Sequence, residues 1–185
     1  LAANPPIDLL TCAEAMHRPE NRVYDWNFAR WLRSGVRRLH RRFPDLGRAD
    51  LRGVDLLFDF DDRYTAPGNG FASAADYYAR TSTLPLIPRI KLPGLVIHAA
   101  DDPFIPVEPF LRARFPATLR FELTEGGGHL GYVSRRPWQG DRRWLEARLA
   151  AWLAERWGVS TDRLDFAASS PTEERANLGA CSRHA

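Results

Sequence analysis

One histidine and a pair of aspartates are of the right types and in the right context for acid–base chemistry. His129 follows three consecutive glycines within Leu123–Val133 (LTEGGGHLGYV), while Asp101 and Asp102 follow the apolar run Leu95–Ala100. Consecutive glycines indicate a backbone that adopts conformations, or approaches neighbours, that a side chain would forbid. A carboxylate that accepts the imidazole Nδ1–H fixes the tautomer and leaves Nε2 to act as general base.

The segments before these residues predict neighbouring strands of one sheet. Leu95–Ala100 is a continuous apolar run with β-branched residues, typical of a strand buried on both faces. Thr118–Leu123 alternates apolar and charged residues, which indicates an edge strand with one wet face. A helix over Val107–Arg114 joins them, and a last amphipathic helix ends at Gly158. Strand, helix, strand, helix predicts an α/β fold, in which functional groups collect at the carboxyl ends of parallel strands.

The first half of the chain is predicted to be mainly helical. Asp8 is placed to cap a helix that runs toward Met16. An apolar stripe then predicts a helix of about five turns, which Pro44 ends. We expect a second helical piece at Leu46–Asp59 and a short helix capped by Ser73. The stripe consists of Tyr24, Phe28, Trp31, Leu32, Val36, Leu39 and Phe43.

Two groups of residues are candidate cation sites. The acidic run FDFDDRYTAPGNGF offers Asp59, Asp61 and Asp62. It lacks the glycine and terminal glutamate of a calcium loop, so we interpret it as a solvated turn. The second group is His98, Asp101, Asp102 and His129, whose spacing matches no standard metal pattern. His98, inside an apolar run, is interpreted as a core residue or as one that supports a site residue, rather than as a ligand. We predict neither a metal nor another cofactor.

Composition and charge are those of a globular domain. The chain has 185 residues, 44% hydrophobic and 26% charged, and no run of ~18 apolar residues that would predict a membrane span. We expect a cytoplasmic location.

The net charge is +3, but no nucleic-acid motif accompanies the arginines, so we interpret them as a solvated helix face and expect no nucleic-acid partner. Cys12 and Cys181 show no metal spacing.

Several segments, in order, resemble the YheT-type family of α/β-hydrolases. PGLVIHAADDPFIP resembles the acid-bearing strand and loop of α/β-hydrolases, and ELTEGGGHLGYV resembles their histidine loop. PPIDL, NRVYDWNF, FDDRYTAPGNGF and SAADYYARTS resemble further pieces, so the resemblance extends from Pro5 to Trp157. It implies the carboxyl-terminal half of an α/β-hydrolase fold: the last strands of a mostly parallel sheet, flanking helices and a helical lid.

The resemblance also implies roles for individual residues. His129 matches the general base of the family. Asp102 matches the acid because it lies four positions before Pro106, and Asp101 is the alternative. Family members are predicted esterases, which implies a small-molecule or lipid-like carboxylic ester as substrate and no cofactor.

The sequence departs from the family at the nucleophile. Such enzymes carry a serine in G-x-S-x-G on a sharp strand-to-helix turn, and none of the serines here stands in that pattern: Ser34, Ser73, Ser82, Ser134, Ser160, Ser169, Ser170 and Ser182. We interpret the chain as a fragment that lacks the amino-terminal half of the fold. Since losing the triad nucleophile costs ~10⁶ in kcat, we expect the isolated chain to be inactive.

We therefore divide the chain into four parts: residues 1–10, the end of a core strand and a turn; 11–89, a helical lid and connector; 90–158, the carboxyl-terminal core; and 159–185, a disordered tail. Two other functions remain open. One is a non-catalytic or partner-dependent half-domain. The other is a basic module that binds a polyanionic surface through its arginine-rich helix.

Overall fold

The computed structural model describes residues 1–47, 49–138 and 141–159. These residues form two compact units. The strand unit comprises Leu1–Pro5, Ile87–Pro103 and the described residues from Arg114 onward, and the helical unit comprises Pro6–Leu86 and Phe104–Ala113. The four-part division of the chain stays a prediction, and its tail lies outside the described residues except for Val159.

The strand unit is built on a parallel sheet of β1 (Ala2–Ala3), β2 (Gly94–Ala99) and β3 (Leu119–Thr124) in that order. The continuous apolar run is the central strand, and the alternating segment is at an edge of this sheet. Leu95, Ile97 and Ala99 are buried. The sheet and its flanking helices form a partial α/β fold, as predicted.

One face of the sheet is covered by α7 (Trp144–Trp157), which ends at Gly158 in the left-handed conformation. The buried core contains Leu95, Ile97, Ala99, Tyr132 and Leu145, with Ala3, Trp144, Leu149 and Trp152 packed against it. The Arg148 guanidinium donates to both carboxylate oxygens of Glu122, over 2.9 and 2.5 Å. This bidentate pair joins α7 to β3 in addition to the apolar contacts.

A two-stranded antiparallel ribbon precedes α7 and was not predicted. It consists of β4 (Val133–Trp138) and β5 (Asp141–Arg143). The sequence of β4, VSRRPW, places a proline and two adjacent arginines where an apolar alternation would be needed to reveal a strand.

Two helices of the helical unit begin at the predicted cap residues. Asp8 caps α1 by accepting the Thr11 N–H over 3.3 Å, and Ser73 caps α5 by accepting the Asp76 N–H over 3.2 Å. Its α-helices are α1 (Leu9–Met16), α2 (Arg22–Arg42), α3 (Leu57–Phe60), α4 (Ala66–Gly68), α5 (Ala74–Thr81) and α6 (Glu108–Arg112). Short 3₁₀ turns occur at Pro19–Asn21 and Pro44–Leu46, and another covers Leu84–Arg89.

Two predictions for this region are wrong. The helix expected at Leu46–Asp59 begins only at Leu57. Leu51 and Val54 are buried from an irregular connector that turns at residues 52–53, where Gly53 has φ +65°. The acidic run is not a solvated turn. It continues α3 through a π-helical turn, Asp61–Thr65, into α4.

The long helix α2 buries a narrower face than its apolar stripe suggested. Asp25, Ala29 and Val36 are buried, whereas Tyr24, Trp31 and other apolar residues of the stripe are exposed. Asp25 is fully buried, where it accepts the Leu57 N–H over 2.6 Å and contacts His17 Nδ1 over 2.8 Å. In the described part of the chain, no helix combines the length and apolarity needed to cross a membrane.

Candidate active site

The first two residues of the site, Asp101 and Asp102, lie just after the end of β2. The chain turns after Ala99, with the Asp102 N–H donating to the Ala99 carbonyl over 3.1 Å. This turn separates two adjacent carboxylates: Asp102 is buried, and Asp101 is exposed. The two aspartates therefore lie in different environments, which the sequence alone left open.

The glycine loop after β3 presents His129. Gly127 has φ +155°, and a Cβ there would lie 2.6 Å from the Tyr132 ring. Gly128 has φ +55°, and its N–H donates to Asp101 Oδ1 over 2.7 Å. The loop closes on itself because the Tyr132 N–H donates to the Gly127 carbonyl over 3.0 Å. Glycine is required here for close packing at one position and for a left-handed conformation at the next.

The structure brings His129 and Asp102 together. His129 Nδ1 lies 3.0 Å from Asp102 Oδ2, with the carboxylate side chain fully buried and 38% of the imidazole side chain exposed. A buried carboxylate in this position favours the tautomer with the proton on Nδ1, which leaves the lone pair on Nε2. The arrangement suits proton transfer at an accessible imidazole.

Asp101 has a different role in this geometry. Its Oδ1 accepts the Gly128 N–H, so it fastens the histidine loop to the turn after β2. A carboxylate bonded to a backbone N–H gains a charge-assisted hydrogen bond. Asp101 thus shapes the loop that carries His129, whereas Asp102 meets the imidazole.

Asn4 was missed as a site residue by the sequence analysis. It follows β1 directly, is buried, and has φ 43°. Its Nδ2 donates to Asp102 Oδ2 and, over 2.9 Å, to the Gly128 carbonyl. The available signal was an asparagine between a short apolar segment and two prolines, a residue type that tolerates the left-handed region. Only the fold shows that β1 and the histidine loop meet.

Tyr132 supports the site through its contacts with Asn4 and Trp144. Its hydroxyl donates to Asn4 Oδ1, and its ring stacks on Trp144 with centroids 5.7 Å apart. Burial raises the pKa of the Tyr132 phenol to about 12. The hydroxyl therefore stays protonated, and remains a donor, throughout the neutral range.

The other candidate residues from the sequence are His98 and the carboxylates of the acidic run. His98 is fully buried in β2, in agreement with a core role. The carboxylates of the acidic run act within the helical unit: Asp61 accepts the Tyr78 hydroxyl over 2.6 Å, and Asp62 accepts the Ala74 N–H over 2.8 Å. The described residues contain no group of three or more histidine, cysteine or acidic side chains placed to hold a metal ion.

The partial α/β fold and the strand-end pairing of an aspartate with a histidine agree with what the comparisons with known proteins show: the chain belongs to the α/β-hydrolase superfamily. It is 34% identical over 152 residues to "Putative esterase YheT" of Escherichia coli and 30% identical over 152 residues to "Putative esterase slr0264" of Synechocystis. It is also 31% identical over 133 residues to "Monoacylglycerol lipase" of Saccharomyces cerevisiae.

These matches include 80%, 75% and 69% of the chain, respectively. The chain spans less than half the length of these relatives, with 44%, 40% and 28% of each covered. No family profile matches the chain. No solved structure matches it either.

Proposed function

We propose that the chain supplies the acid and the base of a Ser-Asp-His triad that hydrolyses carboxylic esters. The observation that carries the proposal is the 3.0 Å contact between buried Asp102 and accessible His129 at the strand ends. Relatives named as esterases and as a monoacylglycerol lipase support an ester substrate, either a small molecule or a lipid.

The roles of the two side chains follow from their contacts. His129 Nε2 takes the proton of the serine hydroxyl while the serine oxygen bonds to the ester carbonyl carbon. The imidazolium then gives that proton to the departing alkoxide, which leaves as the alcohol. Water, deprotonated by the same imidazole, then attacks the acyl carbon, and the imidazolium returns that proton to the departing serine oxygen as the carboxylic acid is released. Asp102 stabilises the imidazolium without taking its proton.

The serine belongs, in this proposal, to sequence outside the 185 residues. G-x-S-x-G does not occur in the chain. The isolated polypeptide is therefore expected to release no p-nitrophenol from p-nitrophenyl butyrate above the buffer rate. Hydrolysis by the purified chain that disappears in His129→Ala would contradict this part of the proposal.

The class of enzyme is tested on the complete reading frame. The genomic sequence upstream of the Leu1 codon is read and the whole frame is expressed. We expect an in-frame G-x-S-x-G, labelling of its serine by a fluorophosphonate, and ester hydrolysis that His129→Ala abolishes. A complete frame without such a serine would favour the alternative of a non-catalytic or partner-dependent half-domain. The lid role of residues 11–89 belongs to the same proposal.

A second candidate function is binding of an anionic lipid surface through α2. The helix carries seven arginines within Arg22–Arg42 and leaves Trp26 and Trp31 exposed. Exposed aromatic and cationic side chains on one helix suit the boundary between headgroups and acyl chains. Arg41→Glu should weaken binding to phosphatidylglycerol vesicles, whereas Arg89→Glu, an exposed arginine of the strand unit, should not. Absence of vesicle binding at low salt would exclude this candidate.

A further inference from the structure

The side-chain amide of Asn4 is fully engaged inside the strand unit. Nδ2 donates to Asp102 Oδ2 and to the Gly128 carbonyl, while Oδ1 accepts the Ala99 N–H over 3.3 Å and the Tyr132 hydroxyl. Two acceptors face the amide nitrogen and two donors face the amide oxygen. A flipped amide would oppose three of these contacts, because only the Tyr132 hydroxyl can accept as well as donate, so the network determines its orientation.

The backbone of Asn4 is equally constrained. Its N–H donates to the Ile97 carbonyl over 2.9 Å, which continues the pairing of β1 with β2. Its φ of 43° lies in the left-handed region, where asparagine is enriched among the residues other than glycine. Backbone and side chain together therefore specify asparagine, and they place its amide at the end of the central strand.

The Asn4 amide and the His129 imidazole contact the same oxygen, Asp102 Oδ2. We propose that Asn4 is a positioning residue for the Asp102–His129 pair. It holds the buried carboxylate in the rotamer that meets the imidazole. Through the Gly128 carbonyl it also holds the residue that precedes His129. The catalytic meaning of this role rests on the proposed function, but the hydrogen bonds themselves can be tested without turnover.

Asn4→Asp separates positioning from simple structural support. Aspartate keeps the size of the side chain and the oxygen that serves Ala99 and Tyr132, but it replaces the donor by a second carboxylate oxygen beside Asp102. Two carboxylates at this distance do not both ionise readily and share a proton. A positioning donor therefore predicts that aspartate disturbs the pair more than alanine wherever both carboxylates are ionised. Simple support of the strands predicts the reverse.

The readout is the Nδ1–H resonance of His129 in the ¹⁵N-histidine-labelled 185-residue chain, assigned by its disappearance in His129→Ala. We expect its exchange with solvent to be at least about tenfold faster in Asn4→Ala, the factor for losing a hydrogen bond of about 1.4 kcal/mol. Asn4→Asp should lose the resonance where both carboxylates are ionised. As the pH falls, the resonance should recover toward the wild-type spectrum recorded at the same pH, because a proton shared by the two carboxylates restores a donor.

Asn21→Ala is the matched control. Asn21 and Asn4 are each 3% exposed, and Asn21 Nδ2 donates to the Ala15 carbonyl over 2.9 Å in the helical unit. This variant should lower the urea midpoint and leave the His129 resonance unchanged. If Asn4→Ala does not fold, Asn4→Asp carries the test, since it keeps the size of the side chain and the oxygen that accepts from Ala99 and Tyr132.

Unchanged exchange at His129 in a folded Asn4→Ala would overturn the inference. So would an Asn4→Asp chain that keeps the resonance at every pH at which it is folded. The proposed function fails by a different result, namely a complete reading frame without serine-dependent hydrolysis. In a complete enzyme that is active, Asn4→Ala should lower kcat about tenfold and leave KM unchanged.

Discussion

His129 Nδ1 and Asp102 Oδ2 are 3.0 Å apart although 27 positions separate them in the sequence. The register of the parallel sheet explains the contact. Ala99 is paired with Thr124, so the turn after β2 and the loop after β3 leave the sheet side by side. Each segment then needs only a few residues to bring its functional side chain to the other.

Replacing Asp102 should disable the histidine without unfolding the site. In the complete enzyme, Asp102→Asn is expected to lower kcat by roughly 10³ to 10⁴, because an amide in place of the carboxylate favours the wrong imidazole tautomer and does not stabilise the imidazolium. The measurement is kcat on p-nitrophenyl butyrate, with circular dichroism to show that the fold is retained.

Asp101→Asn is the matched control for this prediction. Asparagine at this position still accepts the Gly128 N–H, so we expect a loss of stability of about 1 kcal/mol and a change in kcat of no more than about tenfold. An Asp101→Asn enzyme as impaired as Asp102→Asn would show that the acid has been assigned to the wrong aspartate.

Gly127→Ala should disrupt the histidine loop. An added Cβ would lie 2.6 and 2.7 Å from two atoms of the Tyr132 ring and 3.0 Å from the Ala99 Cβ. The ring cannot yield easily, because it is buried and stacked on Trp144. We expect a loss of about 2 to 4 kcal/mol in the free energy of unfolding, measured by urea denaturation.

The opposite result is expected at Gly35, inside α2. An added Cβ there would have no atom within 4 Å apart from the adjacent backbone of its own helix, and the conformation is helical. Gly35→Ala should stabilise the chain by about 0.5 to 1 kcal/mol. If both substitutions had the same effect, packing against Tyr132 would not be the reason for glycine at position 127.

The features predicted correctly are those that depend on local pattern. Apolar continuity identified β2, side-chain caps identified the starts of α1 and α5, and the left-handed glycine at 158 identified the end of α7. Asp101, Asp102 and His129 were selected as candidates because strand ends converge in a parallel sheet, and only the family resemblance favoured Asp102 over Asp101. These signals lie within a few residues of the features they specify.

The features missed depend on contacts distant in sequence. Asn4 reaches Asp102 across 98 positions, so no local pattern could reveal the contact. The acidic run is helical because Asp61 and Asp62 bind Tyr78 and the Ala74 backbone, partners that lie 17 and 12 residues away. In each case the conformation depends on a hydrogen bond between residues distant in sequence, which the local sequence pattern does not reveal.

Tyr132→Phe should change the response of the protein to alkaline pH. Burial raises the pKa of Tyr132 in the folded state to about 12, above about 10 in an unfolded chain. Between these values the folded state holds a proton that the unfolded state has lost, so the free energy of unfolding falls as pH rises. The Phe variant should lose stability less steeply, by up to about 1.4 kcal/mol per pH unit.

The comparison uses urea midpoints from pH 8 to about 12, within the range set by the phenol. Tyr24→Phe, on an exposed tyrosine of the helical unit, should reproduce the wild-type slope. Identical slopes for wild type and Tyr132→Phe would mean that the phenol titrates normally. The hydroxyl would then not be held as a buried donor to Asn4.

Asp25→Ala should be the most damaging single change in the helical unit. Asp25 is fully buried and accepts the Leu57 N–H over 2.6 Å, which fixes the start of α3 against α2. Alanine leaves that N–H without its acceptor and removes the partner of His17, and such losses cost about 2 to 4 kcal/mol. His17→Ala should cost less, because the His17 side chain is 45% exposed and water can replace it. Urea denaturation followed by circular dichroism measures both, and equal destabilisation by the two variants would show that the backbone contact of Asp25 contributes little.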